Sequence, residues 1–287
     1  SEEILKKGDE LEEIINDKQI VKKIKEGFRS LVGHWVYKSK IFKMSLRETS
    51  GYTGNYMAVE AMYNNQPISY GLGLYYDKYY INYPYAIAVR NRKERIKDLL
   101  RDFLKETALP SINILNLASG PCREISELMP ELRFSKKKLN FTCVDFDERA
   151  INFSKEKLMP LSENIKVEFL KENILRLIAN KEPTLILKKQ NLIYSIGLAD
   201  YLSDTTLKRM ISFAFSLLNP GGKLIIAHKD RDKYKPLAPD WFCDWTFEPR
   251  NEKSLIKLVE DSGIKDFAIN IDWEDSNKIF FLILTKK

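Results

Sequence analysis

Apolar positions fall into two rhythms along the 287-residue chain, and the change comes near residue 110. After it, short apolar runs alternate with helical patterns. Strands are predicted at 112–117, 139–145 (LNFTCVD), 165–170 (IKVEFL), 191–196 (NLIYSI) and 223–227. Helices are predicted from 121 through about 129, then at 148–158, 174–179, 204–218 and 252–262. The fourth stops at NPGG (219–222) and the last at Gly263. Two final strands, 267–272 and 279–285, are joined by the short turn WEDSNK. A connection that short makes an antiparallel pair, because parallel neighbours need a long crossover. The prediction is an α/β fold, doubly wound, with a mostly parallel seven-stranded sheet and one antiparallel strand.

The first hundred residues lack that alternation. Segments 2–28 and 86–107 have helical spacing, and a tyrosine-rich stretch with GYTGNY and YGLGLYYDKYYINYPY lies between them. The expected organisation is a helical, Tyr-rich lid or substrate region over 1–108 and a ligand-binding domain over 109–287.

Composition changes this picture little. The formal charge of +7 invites a nucleic-acid reading, but lysines are interspersed with almost as many acids. The clusters at 136–138, 188–189 and 229–235 fall in expected loops or beside strand ends, as a solvated surface would have them. No apolar run is long enough to span a bilayer, and the acidic start Ser1-Glu2-Glu3 is unlike a signal peptide. Three cysteines without CxxC spacing and two histidines point to no metal site and to a reducing cytoplasm.

The chemistry is expected at the carboxyl ends of the strands. After the first strand, Asn116 leads into Ala118-Ser119-Gly120-Pro121. Gly120 lets a ligand approach the backbone, and Pro121 suits the first helical position. Free N–H groups at the helix start favour an anionic group such as a carboxylate. The second strand ends in Asp145, placed to accept hydrogen bonds from both hydroxyls of a ribose, with Phe146 beside it to cover a purine. Asp147 reads better as a helix cap. In KENIL, Glu172 or Asn173 reaches an adenine edge or caps the next helix, and Ile174 packs on the ring. A dinucleotide loop wants G-x-G-x-x-G, whereas Ala118, Gly120 and Arg123 stand here. That loop suits S-adenosyl-L-methionine (product S-adenosyl-L-homocysteine), which has no pyrophosphate.

LNLASG, VDFD, ENI and LLNPGGKLII give residues 112–287 a resemblance to the class I S-adenosylmethionine-dependent methyltransferases, with their Rossmann-like fold. The chain departs from the pattern at Asn116, where the family has an acid, and at Ala118 and Cys122, where it has glycines. GYTGNYMAVEAMYN, AVRNRKERI, ASGPCREI, NLIYSIGLADYL and PDWFCDWTFEPR narrow the resemblance to the bacterial 3-hydroxypalmitic acid methyl ester biosynthesis methyltransferases. Here Asn55 replaces an acid. This resemblance implies methyl transfer to a small-molecule acceptor, such as the carboxylate of a hydroxy fatty acid or similar anionic lipid.

A carboxylate acceptor needs no general base. Ser195, Gly197, Asp200 and Tyr201, after the fourth strand, are expected to face the methyl group, with Asp200 and Tyr201 orienting the substrate. His228 is a further candidate base, a surface loop histidine being the alternative. Tyr52, Asn55 and Tyr56 belong to the expected lid, Arg90 is positioned to pair with an anionic acceptor, and Trp241, Phe242 and Trp245 line a channel or pack a core. The competing readings are an RNA- or protein-directed methyltransferase and a methyltransferase fold that binds without catalysis. Oligomeric state is not legible.

Overall fold

The computed structural model describes residues 2–46, 53–158, 162–179 and 187–287. They form two compact units: Ser1–Val89 with Lys235–Phe247, and Arg90–Tyr234 with Glu248–Lys287. This differs from a single boundary after residue 108. A long helix starting at Pro84 gives most of its length to the second unit, and the aromatic segment 235–247 joins the first.

In the first unit, α1 (Glu2–Ile15) and α2 (Lys18–Val36) break at Asn16, which is left-handed, and restart at Asp17, whose carboxylate caps the Gln19 and Ile20 N–H groups. Then come α3 (Lys40–Ser45), α4 (Tyr56–Asn64), α5 (Leu72–Asn82) and the start of α6 (Pro84–Glu106). Within the tyrosine-rich stretch, Tyr56–Asn64 and Leu72–Asn82 are therefore helical. Tyr80 packs inward, edge-on to Phe42 at 4.9 Å with its hydroxyl 2.6 Å from Ser45 Oγ, whereas Tyr70 and Tyr75 face solvent. Trp241, Phe242 and Trp245 are core of this unit rather than channel wall. Trp241 stands edge-on to Phe28 at 5.4 Å and donates to Glu12, and Trp245 meets Tyr85 at 5.7 Å. Buried Lys25 is neutralised between Glu12 and Asp240 at 2.9 and 2.6 Å.

The second unit holds seven strands: β1 (Ser111–Leu117), β2 (Lys138–Asp145), β3 (Ile165–Lys171), β4 (Gln190–Ser195), β5 (Leu218–Lys229), β6 (Phe267–Trp273) and β7 (Ile279–Lys286). Their order is β3-β2-β1-β4-β5-β7-β6, and β7 alone runs against its neighbours. Interleaved are α7 (Arg123–Leu132), α8 (Glu148–Leu158), α9 (Ile174–Leu177), α10 (Asp204–Leu217) and α12 (Glu252–Glu260), α11 (Leu237–Cys243) belonging to the first unit. β4 is buried along its whole length, as a strand covered on both faces must be. The NPGG turn is spliced into β5: Gln190 pairs with Leu218 and Leu192 with Lys223, so residues 219–222 bulge out around left-handed Gly221. Reversal of β7 is secured by Glu274, whose carboxylate accepts from the N–H groups of Ser276, Lys278 and Ile279. Strand order reverses between β1 and β4, the switch point at whose carboxyl ends such sheets bind their ligands. Among the described residues no helix is long and apolar enough to cross a membrane.

Candidate functional site

The turn from β1 to α7 alternates left-handed residues: Ala118 at φ 57°, Gly120 at 52° and Cys122 at 47°. Glycine adopts that conformation freely, whereas other residues bear roughly 1–2 kcal/mol of strain. Ala118 and Cys122, where the methyltransferases that the sequence resembles have glycine, thus stand in the conformation that glycine adopts with least strain. The N–H groups within this turn are already engaged. Ser119 N–H donates to Val144 O, Gly120 N–H to Asp145 and Cys122 N–H to Ser119 O. What the turn offers is acceptors. Asn116 Oδ1 and Ser119 Oγ are both buried without a hydrogen-bond partner, an arrangement that favours an incoming donor such as an ammonium group.

Asp145 closes this turn onto β2. Its Oδ2 accepts from Gly120 N–H at 2.8 Å and its Oδ1 from Asp147 N–H at 2.9 Å. Burial pushes the carboxyl up, and those two N–H groups only partly offset it. Each oxygen keeps a second lone pair, enough for two sugar hydroxyls. Phe146 next to it is half exposed, and Asp147 caps Arg149 N–H and pairs with its guanidinium. Asn173 caps α9 through Leu175 N–H at 2.8 Å, while Ile174 is buried. Ser195 is wholly buried and donates to Leu117 O, tying β4 to β1.

A buried polar cluster lies behind the turn. Glu124 Oε1 accepts from Asn116 Nδ2 at 2.9 Å and from the Tyr194 hydroxyl at 2.7 Å. Burial pushes the Glu124 carboxyl up, against the opposing effects of Tyr194, its own N–H, Arg92 and Asn116. Arg92, buried on α6, runs past Gly197: a Cβ on that glycine would lie 3.8 Å from the guanidinium. Arg90, one position before Asn91 on the same helix, is half-buried.

The 3-10 turn Ala199–Tyr201 is clamped to the end of β5. Asp200 accepts from Lys229 N–H at 3.0 Å, and its Oδ1 lies 3.2 Å from Lys229 Nζ and 3.4 Å from His228 Nδ1. Burial pushes the Asp200 carboxyl up, but Lys229 and His228 outweigh it and hold it at about 2. Burial brings the Lys229 ammonium down to about 8, Asp200 opposing. His228 is not a loop residue. It is 1% exposed within β5, its Nδ1 is 2.6 Å from Lys229 O, and its Nε2 is 3.4 Å from Arg250 Nη1. Arg250 also donates to the carbonyls of Ala199 and Leu202 and to Asp204. Asp200 and His228 therefore hold the post-β4 segment in place from within, while Tyr201 is half-buried at its end.

Of the expected lid, Tyr52 lies outside the described residues. Asn55 and Tyr56 belong to the first unit, where Asn55 caps α4 by accepting from Met57 and Ala58 N–H and donates to Met44 O. Its amide supplies a donor and an acceptor at once, which a carboxylate there would not. Sequence reasoning did not single out Glu124, Tyr194, Arg92, Lys229 or Arg250. Only Glu124 carried a visible signal, as the acid of ASGPCREI.

No family model matches the chain, and no curated protein matches it in sequence. Solved structures match its fold. It is similar to a possible exported protein from Bordetella parapertussis (16% identity, 81% of this chain and 79% of that one, TM-score 0.61). It is also similar to magnesium protoporphyrin IX methyltransferase from Synechocystis PCC 6803, solved with S-adenosylhomocysteine (12%, 72% and 88%, 0.53). An O-methyltransferase family protein from Burkholderia thailandensis matches as well (15%, 85% and 64%, 0.50). The likeness is one of architecture: the sheet order, the reversed β7 and the flanking helices make the Rossmann-like fold of class I methyltransferases.

Proposed function

We propose that the chain is an S-adenosylmethionine-dependent methyltransferase acting on a small molecule. One observation carries this reading: a buried carboxylate, Asp145, holds the turn after β1, where two unpartnered oxygens, Asn116 Oδ1 at the strand end and Ser119 Oγ in the turn, can accept. A ribose diol and an α-ammonium group are the donors such a set would satisfy, and S-adenosylmethionine carries both. The spent N–H groups of the turn disfavour a pyrophosphate.

When bound, the cofactor supplies an electrophilic methyl group on a sulfonium. The chain's own part is to hold and to exclude water. Asp145 receives the ribose hydroxyls, Phe146 and Ile174 border the purine, and Asn116 and Ser119 accept the ammonium. Gly197 leaves the post-β4 segment without a side chain where the acceptor must approach. The clamp of Asp200, Lys229, His228 and Arg250 keeps that segment from drifting. An acceptor that is already an anion, such as the carboxylate of a hydroxy fatty acid, fits a site in which His228 is engaged at both ring nitrogens. The family resemblance points the same way.

A methyltransferase fold that binds without catalysis is the second reading, favoured by the strained Ala118 and Cys122. Titration calorimetry with S-adenosylmethionine and S-adenosylhomocysteine, followed by transfer of labelled methyl to a panel of carboxylic acids, separates the two. Binding with transfer supports the first reading. Binding without transfer to any acceptor class supports the second. Failure to bind either compound at millimolar concentration overturns the cofactor assignment.

A further inference from the structure

We propose that the first unit docks on the surface of an anionic lipid bilayer through an aromatic, lysine-rimmed patch formed by the end of α2 and the start of α5. This proposal is independent of methyl transfer.

The patch is apolar where solvent meets it. Leu31 is 72% exposed and Trp35 51%, one turn apart on α2, while Tyr70 is 87% exposed, Leu72 48% and Tyr75 70%. Exposed single apolar residues are ordinary, but a run of large ones on adjoining segments marks a surface that meets something. The two segments are built together. A Cβ on Gly73 would fall 2.3 Å from Lys38 O, so only glycine lets the second segment seat on the first. Ser69 Oγ accepts from Lys40 N–H at 2.7 Å, and buried Asp77 binds Ser39 and the N–H groups of Ile68 and Ser69. Left-handed Gly71 turns the chain sharply between Tyr70 and Leu72.

Charge decides the partner. Lys38, Lys40 and Lys78 are exposed on the same two segments, and Lys40 Nζ lies 5.8 Å from the centroid of Tyr70. Among the described residues from 27 to 93 there are two carboxylates before Lys93, Glu60 and Asp77, and both are buried. Three acids on neighbouring helices of the unit have partners there: Glu26 with Lys22, Asp240 with Lys25 and Asp244 with Arg29. Tryptophan and tyrosine rings settle at the boundary between headgroups and acyl chains, and lysines extend from it toward anionic phosphates. A protein partner would be expected to present acids to the lysines and leave a drier centre. The lysine rim and the spread of half-polar rings match headgroups better.

The test is flotation of the full chain with vesicles of phosphatidylcholine alone and of phosphatidylcholine mixed with phosphatidylglycerol. Binding to the mixed vesicles, weakened by salt and at least tenfold above that to phosphatidylcholine, is expected. Lys38→Glu with Lys40→Glu should weaken it by about fivefold or more for each lysine lost, and Tyr70→Ser with Tyr75→Ser should weaken it as well. Should a variant fail to fold, hydrogen exchange of the unaltered chain replaces it: added mixed vesicles should protect residues 27–40 and 66–78. No flotation, equal flotation on both vesicle types, or binding indifferent to the variants would overturn the proposal. So would a solution dimer that the tyrosine variant dissolves, or RNA binding without vesicle binding.

Discussion

Asp145 at the tip of β2 holds Gly120 of the β1–α7 turn by a 2.8 Å hydrogen bond from the glycine N–H, so the carboxylate proposed to receive the ribose also shapes the turn. Asp145→Ala should therefore lower affinity for S-adenosylhomocysteine by about 1.5–3 kcal/mol, the scale of hydrogen bonds to a charged group. Calorimetry reads this directly. Affinity equal to that of the unaltered chain would remove the ribose from this position.

The strain in the turn predicts a gain. Ala118 is half-buried with φ at 57°, and Ala118→Gly relieves it at the cost of a more flexible unfolded chain. The net expectation is a stabilisation of about 0.5–1 kcal/mol in urea unfolding. A lower midpoint with unchanged slope would show that the Ala118 methyl contributes more than the strain removes.

Glu124 makes stability depend on pH in a definite direction. Its folded carboxyl is raised above the ordinary 4.5, so between these values the folded chain holds more protons than the unfolded one. Stability from this group is full below 4.5 and falls as pH rises through the folded value. Glu124→Gln keeps an acceptor for Asn116 and Tyr194 without the ionisation. Relative to the unaltered chain, the variant should gain stability as pH rises from 4.5, measured by thermal melts across pH. A constant difference at every pH would sink this account.

The Asp200–Lys229 pair is predicted to be asymmetric to cut. Removing one partner, as in Lys229→Met, strands a buried charge and should cost about 3–5 kcal/mol. Asp200→Asn together with Lys229→Met should cost well under the sum of the single changes. Because the folded Asp200 carboxyl sits at about 2, below its ordinary 3.8, its contribution is present above about pH 4 and is lost as pH falls toward 2. Additive single and double variants would show that the two side chains do not act on each other.

How much of this was legible before the structure depends on whether the signal was local. The parallel strands could be read because fully buried strands are continuous apolar runs, and 112–117, 139–145 and 191–196 fall within one residue of β1, β2 and β4. The reversal of β7 followed from the length of one turn. The position of Asp145 at the end of β2 could be read because a strand tip is a topological address. The role of Asp200 could not: its partners Lys229, His228 and Arg250 come from segments that meet only when β4 and β5 pair. Arg92 was passed over for Arg90 since helix position alone does not reveal which side chain passes Gly197. The helices of the tyrosine-rich stretch were missed because aromatic residues there cover several faces and blur the period.

The excursion of 235–247 into the first unit also orders events during synthesis. Lys25 and Phe28 emerge from the ribosome some two hundred residues ahead of Asp240 and Trp241, their partners. At roughly 5–20 residues per second, the amino-terminal helices wait on the order of ten seconds or more with that side uncovered. During that interval they would be expected to be natural clients for a chaperone that shelters apolar helices, and changes that slow translation before residue 247 should raise aggregation without altering the finished molecule.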